Sequence, residues 1–167
     1  MINKIHIIGS VGSGKTTLAR RLSKELNIPF YELDNVVWER GEREDRRRSP
    51  EERDELLLTI IRSEQWIIEG VHLDWVGDSF QQADLIILVD PPYRTRQRQI
   101  IKRFFKQRMK LEASHYKPTF SIFRKMIEWN KIYETKNRQE ILEALAPYKD
   151  KLLHIFNSND VMLRKEE

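Results

Sequence analysis

The chain contains no cysteine. That excludes a disulfide framework, thiolate metal ligands and a thiol nucleophile, and it fits a reducing compartment. Long apolar runs are missing too: nothing approaches the roughly 18 residues that a membrane-spanning helix needs. Met1-Ile2-Asn3-Lys4 leads straight into an apolar segment, without a signal peptide. No internal repeat and no linker breaks the 167 residues. The expectation is one soluble, cytoplasmic domain over 1–167 with no membrane contact. Charge of one sign is only mildly in excess, 30 lysines and arginines against 26 acids, for a net +4. Nucleotides would account for that balance as well as nucleic acid would.

Glycine is also scarce, six residues in all, yet three of them fall in Gly9-Ser10-Val11-Gly12-Ser13-Gly14-Lys15-Thr16. This stretch satisfies G-x-x-x-x-G-K-[ST], the pattern of a loop that curls around a phosphate chain with its backbone N–H groups pointing inward. Glycine is required there because the backbone takes positive φ and approaches the ligand closely. Lys15 would reach the β- and γ-phosphates and the Thr16 hydroxyl would bind Mg²⁺. A helix beginning at Gly14 or Lys15 would aim its positive end at the anion. The flanks agree. Lys4-Ile5-His6-Ile7-Ile8 reads as a buried parallel strand, and Leu18, Leu22 and Leu26 form one stripe of a helix.

Further along, Phe30–Leu33 reads as a second strand with Asp34 at its C-terminal end, where open parallel sheets bind ligands; a turn or helix-cap aspartate is the alternative. Val36-Val37-Trp38 is either an acceptor wall or core. Glu39 to Glu55 is dense mixed charge that cannot pack into a core, so it reads as a solvated loop or a mobile flap. Ser49-Pro50-Glu51-Glu52 looks like a helix start. Trp66–Gly70 is a third strand, and Glu69 at its end either holds Mg²⁺, acts as a base on an acceptor hydroxyl, or is a charged junction residue. His72 has no partner cluster and reads as loop. Asp84–Asp90 is a fourth strand, stopped by Pro91-Pro92.

The helix that follows carries Arg94, Arg96, Arg98, Lys102, Arg103, Lys106, Arg108 and Lys110 without one acid. Ile101, Phe104 and Phe105 supply its apolar stripe. Triphosphate or a nucleic-acid backbone would relieve the crowded charge; a solvated basic face is the alternative for about half of these residues. A polar break spans 112–119. Phe120–Tyr148 then reads as one or two helices, with Phe120, Phe123 and Ile127 on one face and Met126, Trp129 and Tyr133 on another. Lys151–Phe156 is a fifth strand, and Arg164–Glu167 is a charged tail. Strands alternating with helices imply an α/β domain with a parallel sheet.

Taken in order, the phosphate loop, Leu33–Trp38, Trp66–Gly70 and Asp90-Pro91-Pro92 with its basic helix resemble the adenylate kinase–shikimate kinase group of P-loop phosphotransferases. The likeness covers nearly the whole chain. More closely, the sequence looks like the bacterial DNA topology modulation proteins. The resemblance implies a three-layer P-loop NTPase fold with a five-stranded parallel sheet in the order 2-3-1-4-5. It also implies an acceptor flap near 39–62 and a lid near 103–125.

ATP and Mg²⁺ would be the cofactors. Gly9, Ser10, Val11, Gly12, Ser13, Gly14, Lys15, Thr16 and Thr17 would hold the nucleotide, and Thr16 with Glu69 the metal. Lys15, Arg103, Arg108 and Asp34 would be the catalytic set, with Asp34 at the position of an acceptor-binding aspartate. The flap lacks the AMP-binding residues of adenylate kinase, and Glu-Gly-Val-His stands where relatives often have Asp-Gly-Asn-Tyr. The acceptor is therefore an unidentified small molecule. An ATP-dependent regulator acting on DNA is the rival reading, although no nucleic-acid-binding motif is present.

Overall fold

The computed structural model describes residues 2–41, 44–109, 111 and 119–161. Glu42 and Arg43 of the charged block, Lys110, the polar break from 112 to 118, and the tail with Arg164–Glu167 lie outside the described residues.

The strands are β1 (Lys4–Gly9), β2 (Phe30–Glu32), β3 (Trp38–Glu39), β4 (Arg46–Arg47), β5 (Trp66–Gly70), β6 (Leu85–Val89) and β7 (Leu152–Ile155). Five of them form one parallel sheet in the order β2-β5-β1-β6-β7. Counting only those five, the order is 2-3-1-4-5, as expected. β1 lies at the centre because its β-branched residues tolerate burial on both faces: Ile5, Ile7 and Ile8 are fully buried. Successive side chains point to opposite faces. Ile8, Ile68 and Leu88 therefore join the core on one side of the sheet, and Ile7, Ile67 and Ile87 join that on the other.

Helices α1 (Lys15–Leu26), α2 (Leu33–Val37), α3 (Pro50–Ile61), α4 (Gly77–Gln82), α5 (Tyr93–Arg108), α6 (Phe120–Ile132) and α7 (Arg138–Leu145) complete the chain. Leu18, Leu22 and Leu26 of α1 are buried against the sheet, as their spacing requires. Asn27, with φ 56°, ends that helix in the left-handed conformation. α3 begins with a complete capping box: the Ser49 hydroxyl accepts from the Glu52 N–H, and the Glu52 carboxylate accepts from the Ser49 N–H. Among the described residues, no helix is long and apolar enough to cross a membrane.

Several local expectations are corrected. The second strand stops at Glu32, because Leu33 turns inward to start α2 and is fully buried. The charged block is not all loop. β3 and β4 pair antiparallel, and Arg46 donates to Glu39 across the pair and to Glu52 of α3. On α5 the buried stripe is Arg96, Ile100 and Phe104, whereas Ile101 and Phe105 face outward. On α6, Met126 and Asn130 are buried and Trp129 is exposed. A π-helical turn, Tyr133–Asn137, rotates the chain between α6 and α7, so a simple 3.6-residue period does not carry across it.

Candidate functional site

The phosphate loop leaves the sheet at Gly9, the last residue of β1, and ends where α1 begins at Lys15. Two glycines are sterically and conformationally fixed. Gly12 has φ +72°, and a Cβ there would lie 2.9 Å from the Arg96 carbonyl oxygen and 2.8 Å from Ile100 Cγ1. Gly14, the N-cap of α1, has φ +93°. Both conformations are costly for residues with a side chain. The first turn of α1 carries no acid, so the positive end of the helix faces the loop without an internal counter-charge.

Inside the loop, the Lys15 ammonium donates to the Ser10 carbonyl at 3.2 Å and lies 3.9 Å from Glu69 Oε2. The Thr16 hydroxyl donates to Glu69 Oε1 at 2.6 Å. Register explains the pair: Glu69 is cross-strand from Ile7, two residues before Gly9. Glu69 is buried, and burial pushes its carboxyl up, against the pull of the Lys15 charge and the Thr16 hydroxyl. Ser13 Oγ is buried with no hydrogen-bond partner.

These features fit a Mg²⁺–nucleotide. The positive end of α1 faces the loop, the orphaned Ser13 hydroxyl offers a donor, and Thr16 with Glu69 offers hard oxygen ligands. Among the described residues, no group of three or more His, Asp or Glu side chains forms a metal cage. Mg²⁺ bound chiefly through phosphate and water needs none. Ser10, Val11 and Thr17 complete the loop; Thr17 is exposed on α1.

Asp34 lies in α2 at the C-terminal edge of the sheet, with its side chain 70% exposed. Its carboxylate is 3.9 Å from His72 Nε2. His72 also lies against Trp75, whose ring carries the Arg53 guanidinium at 4.4 Å. Burial pushes the His72 imidazole down while Asp34 pulls it up. His72 and Trp75 thus line the same edge as Asp34, a grouping that His72 in isolation does not reveal. Arg103 is half-buried on α5. The Arg108 guanidinium lies 4.8 Å from the centroid of the Phe120 ring, at the α5–α6 junction.

A second polar cluster, which no sequence motif announces, surrounds Asp90. Asp90, at the end of β6, accepts from Tyr133, from Arg138 at 2.8 Å and from Arg96 at 3.5 Å, and it contacts His154. Arg96 is only 1% exposed. It donates to Asn130 Oδ1 at 2.7 Å, to the Pro91 carbonyl at 2.6 Å and to Glu134. Burial and Asp90 both push the Tyr133 hydroxyl up. Arg96 stands in phase with Ile100 and Phe104, at i, i+4 and i+8, and this was the signal for its burial. The cluster bolts α5, α6 and the π turn to the sheet, directly behind Gly12.

A family model described as an AAA domain matches residues 5–114, from β1 through the phosphate loop and all of α5. The chain is 28% identical over 145 residues to the Bacillus subtilis (strain 168) protein named "Uncharacterized protein YqaC", a match that covers 87% of this chain and 80% of that one. A shorter match, 45% identical over 40 residues, is to shikimate kinase of Legionella pneumophila (strain Corby); it spans 24% of this chain and 23% of that enzyme. Among solved structures, shikimate kinase from Bacteroides thetaiotaomicron has a TM-score of 0.49 at 18% identity, covering 98% of this chain and 91% of that one.

Proposed function

The chain belongs to the AAA domain family, and from that premise we propose that it is a phosphotransferase that moves the γ-phosphoryl group of ATP to a small hydroxyl-bearing acceptor. One observation carries the reading: the Thr16 hydroxyl and the buried Glu69 carboxylate meet at 2.6 Å, beside Lys15 and beneath a glycine-lined loop. A turn that bound nothing would need neither the lysine nor the hydroxyl–carboxylate pair. The local likeness to shikimate kinase supports a hydroxyl acceptor.

In this reading Lys15 leaves the Ser10 carbonyl to meet the β- and γ-phosphate oxygens. The N–H groups at the start of α1 hold the phosphate chain. Thr16 and Glu69 would hold Mg²⁺, which would offset the charge of the phosphate oxygens. Arg103 and Arg108 on the lid segment neutralise charge spread over the transferring group. Asp34 accepts a hydrogen bond from the acceptor hydroxyl and aims its oxygen at the γ-phosphorus. The bond from that phosphorus to the bridging oxygen breaks, ADP leaves, and the acceptor oxygen takes the phosphoryl group as its proton passes to the Asp34 carboxylate. Most of the acceleration in such transfers comes from positioning and charge cancellation, and an arginine at the transferring group is worth about 10³-fold or more.

The test is ATP-to-ADP turnover with Mg²⁺ across nucleoside monophosphates, nucleosides and small hydroxylated metabolites. Strong stimulation by one acceptor is expected, and Asp34→Asn should abolish that stimulation while ATP binding persists. An ATP-dependent regulator of DNA topology or gene expression predicts the opposite pattern, with turnover stimulated by duplex DNA alone.

A further inference from the structure

The exposed face of α5 takes no part in the nucleotide cleft. The helix packs inward through Arg96, Ile100 and Phe104, and its Ile100 side chain and Arg96 carbonyl abut Gly12. At about 100° per residue, the opposite face is centred near Met109, between Arg98 and Lys102, with Phe105 about 40° to one side. That face points away from the phosphate loop. Arg94, Arg98, Lys102 and Lys106 run along it, one every four residues or roughly 6 Å of helix axis. All four are exposed. None of the four has an acidic partner among the described residues, and α5 contains no acid. Apolar side chains share the face: Phe105 is 55% exposed, Met109 61% and Ile101 36%.

We infer that this face of α5 is a binding surface for single-stranded nucleic acid. Unpaired cations at i, i+4 repel one another, and a polyanion laid along them removes that repulsion. The pattern of mixing selects the kind of polyanion. In projection down the axis, Arg94 falls between Ile101 and Phe105, and Arg98 falls between Phe105 and Met109. A helix that lies in a lipid surface keeps its cations at the flanks of an apolar band; sinking this band would drag two guanidinium groups into hydrocarbon. A second copy of the chain meeting this face by two-fold symmetry would set cation against cation. A single strand satisfies both groups, with phosphates on the cations and an unstacked base on Phe105. The inference is independent of phosphoryl transfer, since Arg94, Arg98, Lys102, Phe105 and Lys106, on which it rests, lie outside the proposed catalytic set; Arg108 borders the face and is left out of it.

The experiment is fluorescence anisotropy of the full chain with a labelled oligothymidylate of about 20 nucleotides, over a salt series. Phosphatidylserine vesicles and a duplex of the same length serve as competing probes. Binding is expected to weaken linearly in log–log salt. The double variant Arg98→Ala/Lys102→Ala should shrink the slope by about 1.4, at roughly 0.7 per phosphate contact on a single strand. Phe105→Ala should cost on the order of ten-fold in affinity with the slope unchanged. All variants should retain wild-type ATP binding, which certifies their fold. Absence of oligonucleotide binding at low salt, vesicle binding in its place, or duplex and single strand bound equally with Phe105→Ala silent would each overturn the assignment.

Discussion

Replacing Arg96 by methionine tests the polar cluster behind the phosphate loop. Methionine keeps the volume of the side-chain stem and removes the guanidinium. Four groups then lose a partner. Asn130 Oδ1 and the Pro91 carbonyl lose hydrogen bonds of 2.7 and 2.6 Å, and Asn130 is fully buried. An unsatisfied buried acceptor costs about 1–3 kcal/mol. Asp90 loses only its longest contact and keeps Arg138, Tyr133 and His154. Glu134 has a carboxylate 46% exposed, so water replaces the guanidinium at little cost. The stacking of Arg96 on Tyr133, at 4.6 Å, is worth about 1 kcal/mol more. These contributions sum to about 3–7 kcal/mol, and the cost of breaking a buried ion pair from one side, about 3–5 kcal/mol, sets the expected value. For a chain of this size that lowers Tm by roughly 10 °C. Arg94→Met, two residues away on the exposed face, should stay within about 0.5 kcal/mol. Urea denaturation of both variants and the wild type reads the difference. An Arg96→Met cost below about 1 kcal/mol would refute the reasoning, because the buried acceptors would then have other partners.

His6 gives a pH signature. Its fully buried imidazole is pushed down to about 3 by burial, against about 6.5 in the unfolded chain. Below pH 6.5 the unfolded chain takes up a proton that the folded chain refuses, so stability falls as pH drops from 6.5 towards 3, by about 4–5 kcal/mol in full. His6→Gln should flatten that slope in urea titrations at pH 7, 5.5 and 4.5; parallel profiles would remove His6 as the cause. Lys15→Ala should abolish detectable ATP binding by calorimetry while the melting temperature of the free protein moves by only a degree or two, and unchanged binding would dismiss the phosphate-loop assignment. Gly12→Ala combines a positive φ with a Cβ 2.9 Å from a backbone oxygen, so a loss of about 2–4 kcal/mol is expected. Its nucleotide affinity should fall as well, whereas Gly77→Ala, with open space around its Cβ, should be stable and bind normally.

The sequence by itself determined whatever rests on local or strictly periodic physics. Gly12, Gly14, Lys15 and Thr16 announce a phosphate loop because their conformational and chemical demands act within eight residues. The five apolar runs announce the strands, and Ser49-Pro50-Glu51-Glu52 announces a capping box whose partners are three residues apart. Other features needed the fold. The sheet register sets Glu69 beside Thr16, 53 residues earlier in the chain. His72 and Asp34 meet only because β2 and β5 are neighbours. Arg96 looked like one cation among many on a basic helix until packing chose which face was buried. The choice falls on Arg96 because Asp90 and the Pro91 carbonyl, at the end of β6, and Asn130, on α6, repay its desolvation; Arg94 and Arg98, facing away, find no such partners and stay in water. Burial of a charge is decided by the sum of contacts arriving from distant parts of the chain, and that sum exists only once the tertiary structure has formed.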